Sequence, residues 1–184
     1  KFIDSHDAVI RVNCGPYTRF EDAVGSRTDI KVAAVPSRKC PILDGKRAHV
    51  INAGSRWAWK QSKGKLDTLG KDFMDRMAGI CARRIKGAPS TSTGFHAVMM
   101  ALLLCESVSL FCFDSWGYGT DAFFDPRTAM HYYDDNRGAG NHAMVDLFRN
   151  GSNHVHCWWM EKAFIEAVLD QGLATAYCAP ADRR

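Results

Sequence analysis

Residues 89–113 read PSTSTGFHAVMMALLLCESVSLFCF and decide the fold. A run of small residues, 90–94, stands in front of an apolar, helix-forming segment, and a short apolar stretch follows at 107–113. Ser and Thr side chains cap the amides of a first helical turn, and the same amides form anion sites when a glycine lets a ligand approach. The segment therefore predicts a loop, a buried helix and a buried strand. Capping and anion binding both remain open as reasons for the small residues.

The rest of the chain alternates between strand and helix patterns. Strands are predicted where short apolar runs are bounded by turn-forming residues, at 8–12, 30–35 and 49–52. Helices are predicted where apolar residues recur at helical spacing, at 71–86 and about 158–169. This alternation predicts an α/β fold: a single layered domain over residues 1–184 with a largely parallel twisted sheet flanked by helices. In such sheets, ligands bind beyond the carboxyl ends of the strands.

Composition narrows the possible partners. A chain of 184 residues can bury one sizeable core. Its net charge of +4 suits an acidic small molecule but is too weak and scattered to indicate nucleic acid.

The longest apolar stretch, 98–105, is far shorter than the ~20 residues of a transmembrane helix. The seven cysteines include no CxxC pair, which disfavours a zinc ribbon. Asn150-Gly151-Ser152 is a glycosylation sequon, which matters only in a secretory compartment.

Two histidine segments are candidates for chemistry. His156 lies just before a predicted helix, whose positive N-terminal end keeps an imidazole neutral and able to act as a base. Glu161, five positions later, is expected to accept from free amides of that helix start. His131 opens the sequence His-Tyr-Tyr-Asp after an aromatic stretch. An ordinary hydrogen-bonding role for His156, and an aromatic packing role for His131, stay open on these patterns alone.

Metal sites are weakly indicated. His154, His156 and Cys157 are zinc-ligand types, but residues this close together need distant partners to complete a tetrahedron. Asp134-Asp135 is a possible divalent-cation pair. The sequence contains no G-x-G-x-x-G, no P-loop and no G-x-S-x-G motif.

Four segments in order resemble the sialyltransferases of glycosyltransferase family 29. Residues 3–28, IDSHDAVIRVNCGPYTRFEDAVGSRT, resemble the latter part of that family's large sialylmotif. Residues 89–113 resemble the small motif, and HYYD at 131–134 resembles the third. HCWWME at 156–161, a His followed five positions later by Glu, resembles the very small motif. Four motifs in the family's order and spacing make coincidence an unsatisfactory explanation.

The resemblance implies a reaction and a setting. The family transfers sialic acid from CMP-sialic acid to a sugar hydroxyl of a glycan acceptor, with inversion and without a metal or other cofactor. It implies a variant GT-A or Rossmann-like fold and a catalytic domain of a single-pass type II membrane protein in the Golgi lumen. Because the large motif normally begins further upstream, the resemblance also implies that this chain is N-terminally incomplete, lacking the first strand and the membrane anchor.

The resemblance also implies roles for individual residues. His156 corresponds to the general base on the acceptor hydroxyl, and His131 to the group that stabilises charge on the departing CMP. The implied donor-binding residues are Asn13, Ser92, Thr93, Gly94, Trp116 and Tyr132. Glu161 and Cys105 are motif positions with structural roles, and the disulfide partner of Cys105 belongs to the upstream part of the family's large motif.

Some features keep other functions open. Cys157 stands where the family commonly has Asp, and residues 89–91 make the alignment of the small-motif loop uncertain by a residue or two. One alternative is a transferase that uses another CMP-linked acidic sugar, such as CMP-Kdo. Another is a non-catalytic descendant that binds nucleotide or glycan. A zinc-dependent hydrolase built on His154, His156 and Cys157 is the third.

Overall fold

The structure is a computed structural model. It describes residues 2–13, 15–33, 49–52, 67–68, 72, 76, 79, 91–113, 156 and 158–177. The described strands are β1 (Ile10–Val12), β2 (Ile30–Ala33), β3 (His49–Asn52), β4 (Asp67–Thr68), β5 (Ser109–Phe111) and β6 (Thr175–Tyr177). The described helices are α1 (Glu21–Val24), α2 (Thr93–Leu104) and α3 (Trp158–Asp170), and a 3-10 turn at Ile3–Ser5 precedes β1.

The described strands form two parallel sheets. One has the order β1-β2-β3-β4, with Ile10 opposite Ile30 and Ile30 opposite His49. The other pairs β5 with β6, with Ser109 opposite Thr175. Parallel neighbours require crossover connections instead of hairpins. The prediction of an α/β fold with parallel strands is confirmed, although the described strands lie in two sheets instead of one.

The chain divides into two compact units. The first comprises Lys1–Met77 and Thr93–Met99, and the second comprises Ala78–Ser92 and Met100–Arg184. Buried side chains in the first unit include Val9, Val32, Ala33, Phe95 and Val98. Buried side chains in the second include Met100, Leu110, Ile165, Val168 and Ala174. Each unit therefore has its own apolar core, and whether the two behave as the predicted single domain stays a prediction.

Charged side chains organise the segment around β1. The Asp4 carboxylate accepts from the backbone N–H groups of Ser26 (2.9 Å) and Arg27 (3.0 Å). These hydrogen bonds lower the pKa of Asp4 below its usual value, and the bond from the Ser26 amide has the largest effect. Arg27 donates in turn to the carbonyl oxygens of His6 and Asp7, both at 2.6 Å. The residues before β1 are thereby tied to the loop that leads into β2.

Several sequence-based boundaries agree with the structure. The predicted strand at 49–52 is β3, and the predicted helix at about 158–169 is α3. Asp72, Arg76 and Gly79 are helical, as predicted for 71–86, while the other residues of that helix lie outside the described part of the chain. The strands predicted at 8–12 and 107–113 are present as the shorter β1 and β5.

The expectation of a buried helix at α2 is wrong at the C-terminal end of the helix. Phe95 and Val98 are buried, but Leu103 is 70% exposed and Leu104 is 65% exposed. Consecutive apolar residues necessarily point around the helix, so an unbroken apolar run cannot place every side chain on the core-facing side. Among the described residues, no helix combines the length and the apolar character that a membrane crossing requires.

Candidate functional site

The start of α2 is built from small buried residues. Thr91, Ser92 and Thr93 are 3%, 5% and 9% exposed, and α2 begins at Thr93. Ser92 is thus the residue immediately before the helix, the position where a hydroxyl side chain is favoured. The first amides of a helix have no carbonyl partner within it and carry partial positive charge. Such amides are satisfied in proteins by capping side chains or by bound anions.

Glu161 binds the residue that precedes α2. Its Oε1 accepts from the Ser92 backbone N–H at 2.7 Å, and its Oε2 lies 2.6 Å from Ser92 Oγ. Glu161 belongs to the first turn of α3 and has no exposed surface. Two hydrogen bonds across a separation of 69 residues therefore hold the small-residue loop against the beginning of α3. Both residues belong to the second unit.

The Glu161 carboxyl group is electrostatically unusual. Burial raises its pKa to about 7 from 4.5, and the side-chain and backbone hydrogen bonds from Ser92 act in the opposite direction. The next residue along α3, Lys162, is also buried, but its Nζ pairs with Glu166 Oε1 at 3.6 Å. Within the described residues no cation pairs with Glu161. Its neutral and ionised forms are thus both accessible near neutral pH.

His156 precedes α3 by two residues. It is half-buried, and its backbone forms a single β-bridge. Glu161 in the first turn of the same helix is bound to Ser92, so His156 and Ser92 both lie at the N-terminal end of α3.

Asn13 directly follows β1, at the carboxyl end of a parallel strand. Its backbone is left-handed, with φ of 53°, and its N–H donates to Val32 O at 2.8 Å. Asn tolerates this conformation better than most residues. The exposed side chain therefore lies where ligands of parallel sheets bind. Asn13 belongs to the first unit.

The remaining predicted residues are described only in part. Thr93 and Gly94 are the first two residues of α2. Cys105 directly follows α2 and is an exposed free thiol. The predicted residues outside the described part of the chain are His131, Tyr132, Trp116, His154, Cys157, Asp134 and Asp135. Within the described residues, no group of three His, Cys, Asp or Glu side chains is arranged to hold a metal ion.

The expected partner of Glu161 is wrong. The sequence predicted that its carboxylate accepts from amides of its own helix, whereas both oxygens are occupied by Ser92. The group is 0% exposed and has no access to bulk water, so donors of another segment take that role. A signal was present in the sequence: Glu161 lies one helical turn before Ile165, which is also fully buried. A carboxyl group on the apolar face of a helix indicates a buried polar partner.

The sequence pattern did not single out His96, which is 2% exposed and lies one turn after Ser92. The sequence offered one signal, because His96 stands between the apolar residues Phe95 and Ala97 of α2, both of which are buried.

Short parallel strand pairs with helices between them define an α/β protein. The family model of glycosyltransferase family 29 (sialyltransferase) matches residues 1–52 and 45–173 of this chain. The chain belongs to glycosyltransferase family 29, the sialyltransferases. A comparison with curated proteins gives no match.

Family membership establishes the general activity. The chain is a glycosyltransferase of the sialyltransferase type, which implies a sugar-nucleotide donor and a glycan acceptor. Sialyltransferases of this family are typically Golgi enzymes.

Proposed function

We propose that this protein transfers sialic acid from CMP-sialic acid to a sugar hydroxyl of a glycan acceptor, with inversion and without a metal. The observation that carries the proposal is the pair of hydrogen bonds between Glu161 and Ser92. They join the two motif segments that the sequence relates to donor binding and to the catalytic base. Family membership supplies the class of reaction.

The start of α2 is proposed to hold the anionic part of the donor. Glu161 occupies the amide and the hydroxyl of Ser92, and the amides of Thr93 and Gly94 come next at the head of the helix. Backbone amides at a helix start bind phosphate and carboxylate groups without a metal. Gly94 has no Cβ to keep such a group away from the backbone.

His156 is proposed to be the general base. As the bond between sialic acid and the CMP phosphate breaks, its electron pair leaves with the phosphate oxygen. The acceptor hydroxyl oxygen attacks the anomeric carbon from the opposite face, and His156 takes the hydroxyl proton. An oxocarbenium-like transition state needs little nucleophile activation, so one imidazole suffices. A neutral imidazole is what the position before α3 favours.

His131 is proposed to stabilise the negative charge that develops on the leaving CMP. A protonated imidazole and helix amides directed at that phosphate lower the barrier by electrostatic stabilisation. Asn13, Trp116 and Tyr132 are proposed as further donor contacts. Of these, Asn13 has supporting geometry, because it lies at the carboxyl end of β1.

We further propose that the protein acts in the Golgi lumen as the catalytic part of a type II membrane protein. Expression of the full coding sequence with detection beside a Golgi marker tests this. A signal confined to the cytosol would contradict it.

His156→Ala tests the catalytic assignment. Removal of a general base is expected to lower kcat about 100-fold to 10,000-fold while the Kd for CMP stays within about twofold. Transfer is measured by CMP release, and CMP affinity by calorimetry. His6→Ala is the matched control, because the His6 imidazole lies beside the 3-10 turn, with Nδ1 3.1 Å from the carbonyl oxygens of Phe2 and Ile3. Its kcat is expected to equal that of the wild type.

Equal loss of CMP binding and transfer in a folded His156→Ala protein would remove His156 from the role of base. CMP-Kdo, offered beside CMP-sialic acid, tests the donor sugar. Turnover of CMP-Kdo alone would contradict the proposed substrate.

A further inference from the structure

The Arg27 side chain connects the loop before β2 to the chain just before β1. Its Nη1 and Nη2 donate to the carbonyl oxygens of His6 and Asp7, both at 2.6 Å, and its Nε lies 2.9 Å from Asp29 Oδ2. The same Asp29 oxygen accepts from the Val9 backbone N–H at 2.8 Å. A planar guanidinium serves acceptors on two sides at once, whereas an ammonium group is a point charge. The Arg27–Asp29 pair therefore binds three backbone groups of the segment that leads into β1.

β1 has a short ladder of its own. The strand comprises Ile10–Val12 and pairs with β2 over three residues, and it stands at one end of the order of the four described strands in its sheet. Parallel pairing is slightly less stable per residue than antiparallel pairing. A slip by one residue would move the strand by about 3.3 Å and exchange the faces of its side chains. So short a strand gains from contacts outside its ladder that distinguish the correct register.

The Arg27–Asp29 pair supplies such contacts at the beginning of β1. Val9 precedes the strand, and its carbonyl oxygen accepts from the backbone N–H groups of Asp29 (3.0 Å) and Ile30 (3.2 Å). Because the Asp29 side chain also accepts from the Val9 N–H, Asp29 binds both backbone polar groups of Val9. Arg27 holds the Asp29 carboxylate in place. The register at the start of β1 thus depends on this ion pair.

Asn13 lies at the other end of the same strand. Its N–H donates to Val32 O at 2.8 Å, and the chain leaves the sheet there through a left-handed backbone, with φ of 53°. Only three residues separate Asn13 from Val9. A displacement of the strand at Val9 is therefore carried to Asn13.

We propose that Arg27 is a positioning residue for donor binding, which holds Asn13 in place through Asp29 and the register of β1. The inference rests on the proposed function, which makes Asn13 a contact of the nucleotide. Arg27 acts through Asn13 and does not itself touch the donor. Both residues belong to the first unit, so the relation lies within one compact body.

Arg27→Met tests the proposal, because Met keeps an unbranched apolar stem and removes every donor of the guanidinium. The Kd for CMP, measured by calorimetry on the folded protein, should rise about fivefold, the worth of one net hydrogen bond to the ligand. The kcat at saturating donor should stay within about twofold, since the proposed base is unchanged. Arg76→Met is the matched control: it removes the same charge at an exposed helical position and should bind CMP as the wild type does.

A double-mutant cycle with Asn13→Gly separates positioning from a structural role. Gly adopts the left-handed backbone without strain and removes the amide side chain. Asn13→Gly alone should raise the Kd for CMP about fivefold. Arg27→Met should then cause no further change in the Asn13→Gly protein, because the contact that it positions is already absent. Loss of stability alone would leave the Kd of the folded molecules unchanged.

An unchanged Kd for CMP in folded Arg27→Met would overturn the inference and leave the proposed function standing. Equal factors for Arg27→Met in the wild-type and Asn13→Gly proteins would also overturn it, because Arg27 would then act by another route. Should Arg27→Met fail to fold, Arg27→Lys enters the same cycle. An ammonium group cannot replace the fork, so the Kd should rise at least twofold, and a Kd equal to that of the wild type would contradict the inference. Absence of CMP binding by the folded wild type would instead overturn the proposed function, and this inference with it.

Discussion

Burial of the Glu161 carboxyl group makes its ionised form unfavourable in the folded protein. Its carboxyl group has no exposed surface, and burial raises its pKa to about 7. The folded state therefore binds this proton more tightly than the unfolded chain, in which the group titrates near 4.5. Folding is favoured by this group most fully below the unfolded pKa, and the contribution is lost as the pH rises toward the folded pKa.

Glu161→Gln should remove that pH dependence. Between about pH 5 and about pH 8, the wild type is expected to lose up to about 3 kcal/mol of unfolding free energy relative to the variant. Urea denaturation at several pH values measures the difference. Curves that run parallel over this interval would show that Glu161 titrates at an ordinary pKa in the folded protein. Glu106→Gln, exposed in the folded state, should give curves parallel to those of the wild type.

Gly25 and Gly172 separate two reasons for a glycine. Both have φ of 69°, a backbone angle that residues with a side chain rarely adopt. A Cβ at Gly25 would overlap the Asp4 carboxylate, while a Cβ at Gly172 would meet no atom within 4 Å in the described part of the chain. Gly172→Ala should cost about 1 kcal/mol of stability from backbone strain alone. Gly25→Ala should cost about 2–4 kcal/mol, because the acceptor of the Ser26 and Arg27 amides must also move.

Thermal or urea unfolding of both glycine variants checks this difference. Equal losses of stability would show that Asp4 does not occupy the space beside Gly25.

At the level of elements, Arg11 ties β1 to the end of α1. Its Nη2 donates to Val24 O at 2.9 Å, and its Nε lies 3.0 Å from both Arg27 O and Thr28 Oγ1. The guanidinium also lies 5.7 Å from the centre of the Tyr17 ring. A planar fork can serve acceptors on two sides at once, whereas an ammonium group is a point charge.

Arg11→Lys should therefore lower the unfolding free energy by about 1–3 kcal/mol despite the retained charge. Arg76→Lys, at an exposed helical position, is the control and should change stability by less than about 0.5 kcal/mol. Urea denaturation compares the two. A stability of Arg11→Lys equal to that of the control would mean that these carbonyls find other donors.

The elements that the sequence predicted well have a strong helical period or form an apolar run bounded by turn residues. The apolar face of α3 around Ile165 and Val168 identified the helix, and the turn-bounded run at 49–52 identified β3. The missed elements are short: α1 has four residues, β4 has two and β6 has three. Strands and helices of this length carry too few side chains to show a period, and tertiary pairing determines them.

The candidate site was predictable in its members but not in its contacts. The motif pattern identified Ser92 and Glu161, and Asn13 was expected at the end of a strand, where it lies. The bond between Ser92 and Glu161 spans 69 residues, and helix-start rules concern only neighbours within a turn. Those rules therefore assigned Glu161 to its own helix.

For the whole molecule, the proposed chemistry is metal-independent and acts on an anionic donor. The net charge of +4 is compatible with such a donor, because a mildly cationic protein attracts an acidic ligand at long range. The charge to be stabilised in the transition state lies on the CMP phosphate. Helix amides and a protonated His131 are proposed to meet it.

The most direct measurement is transfer from CMP-sialic acid to a panel of glycan acceptors with different terminal sugars, with and without a chelator. Mass spectrometry reports addition of one sialyl residue, and NMR reports the configuration of the new bond. We expect a sialylated product of inverted configuration, formed at the same rate with and without chelator. Stoichiometric binding of CMP without release of CMP from CMP-sialic acid in the presence of any acceptor would contradict the central claim. Activity that the chelator abolishes and zinc restores would also contradict it.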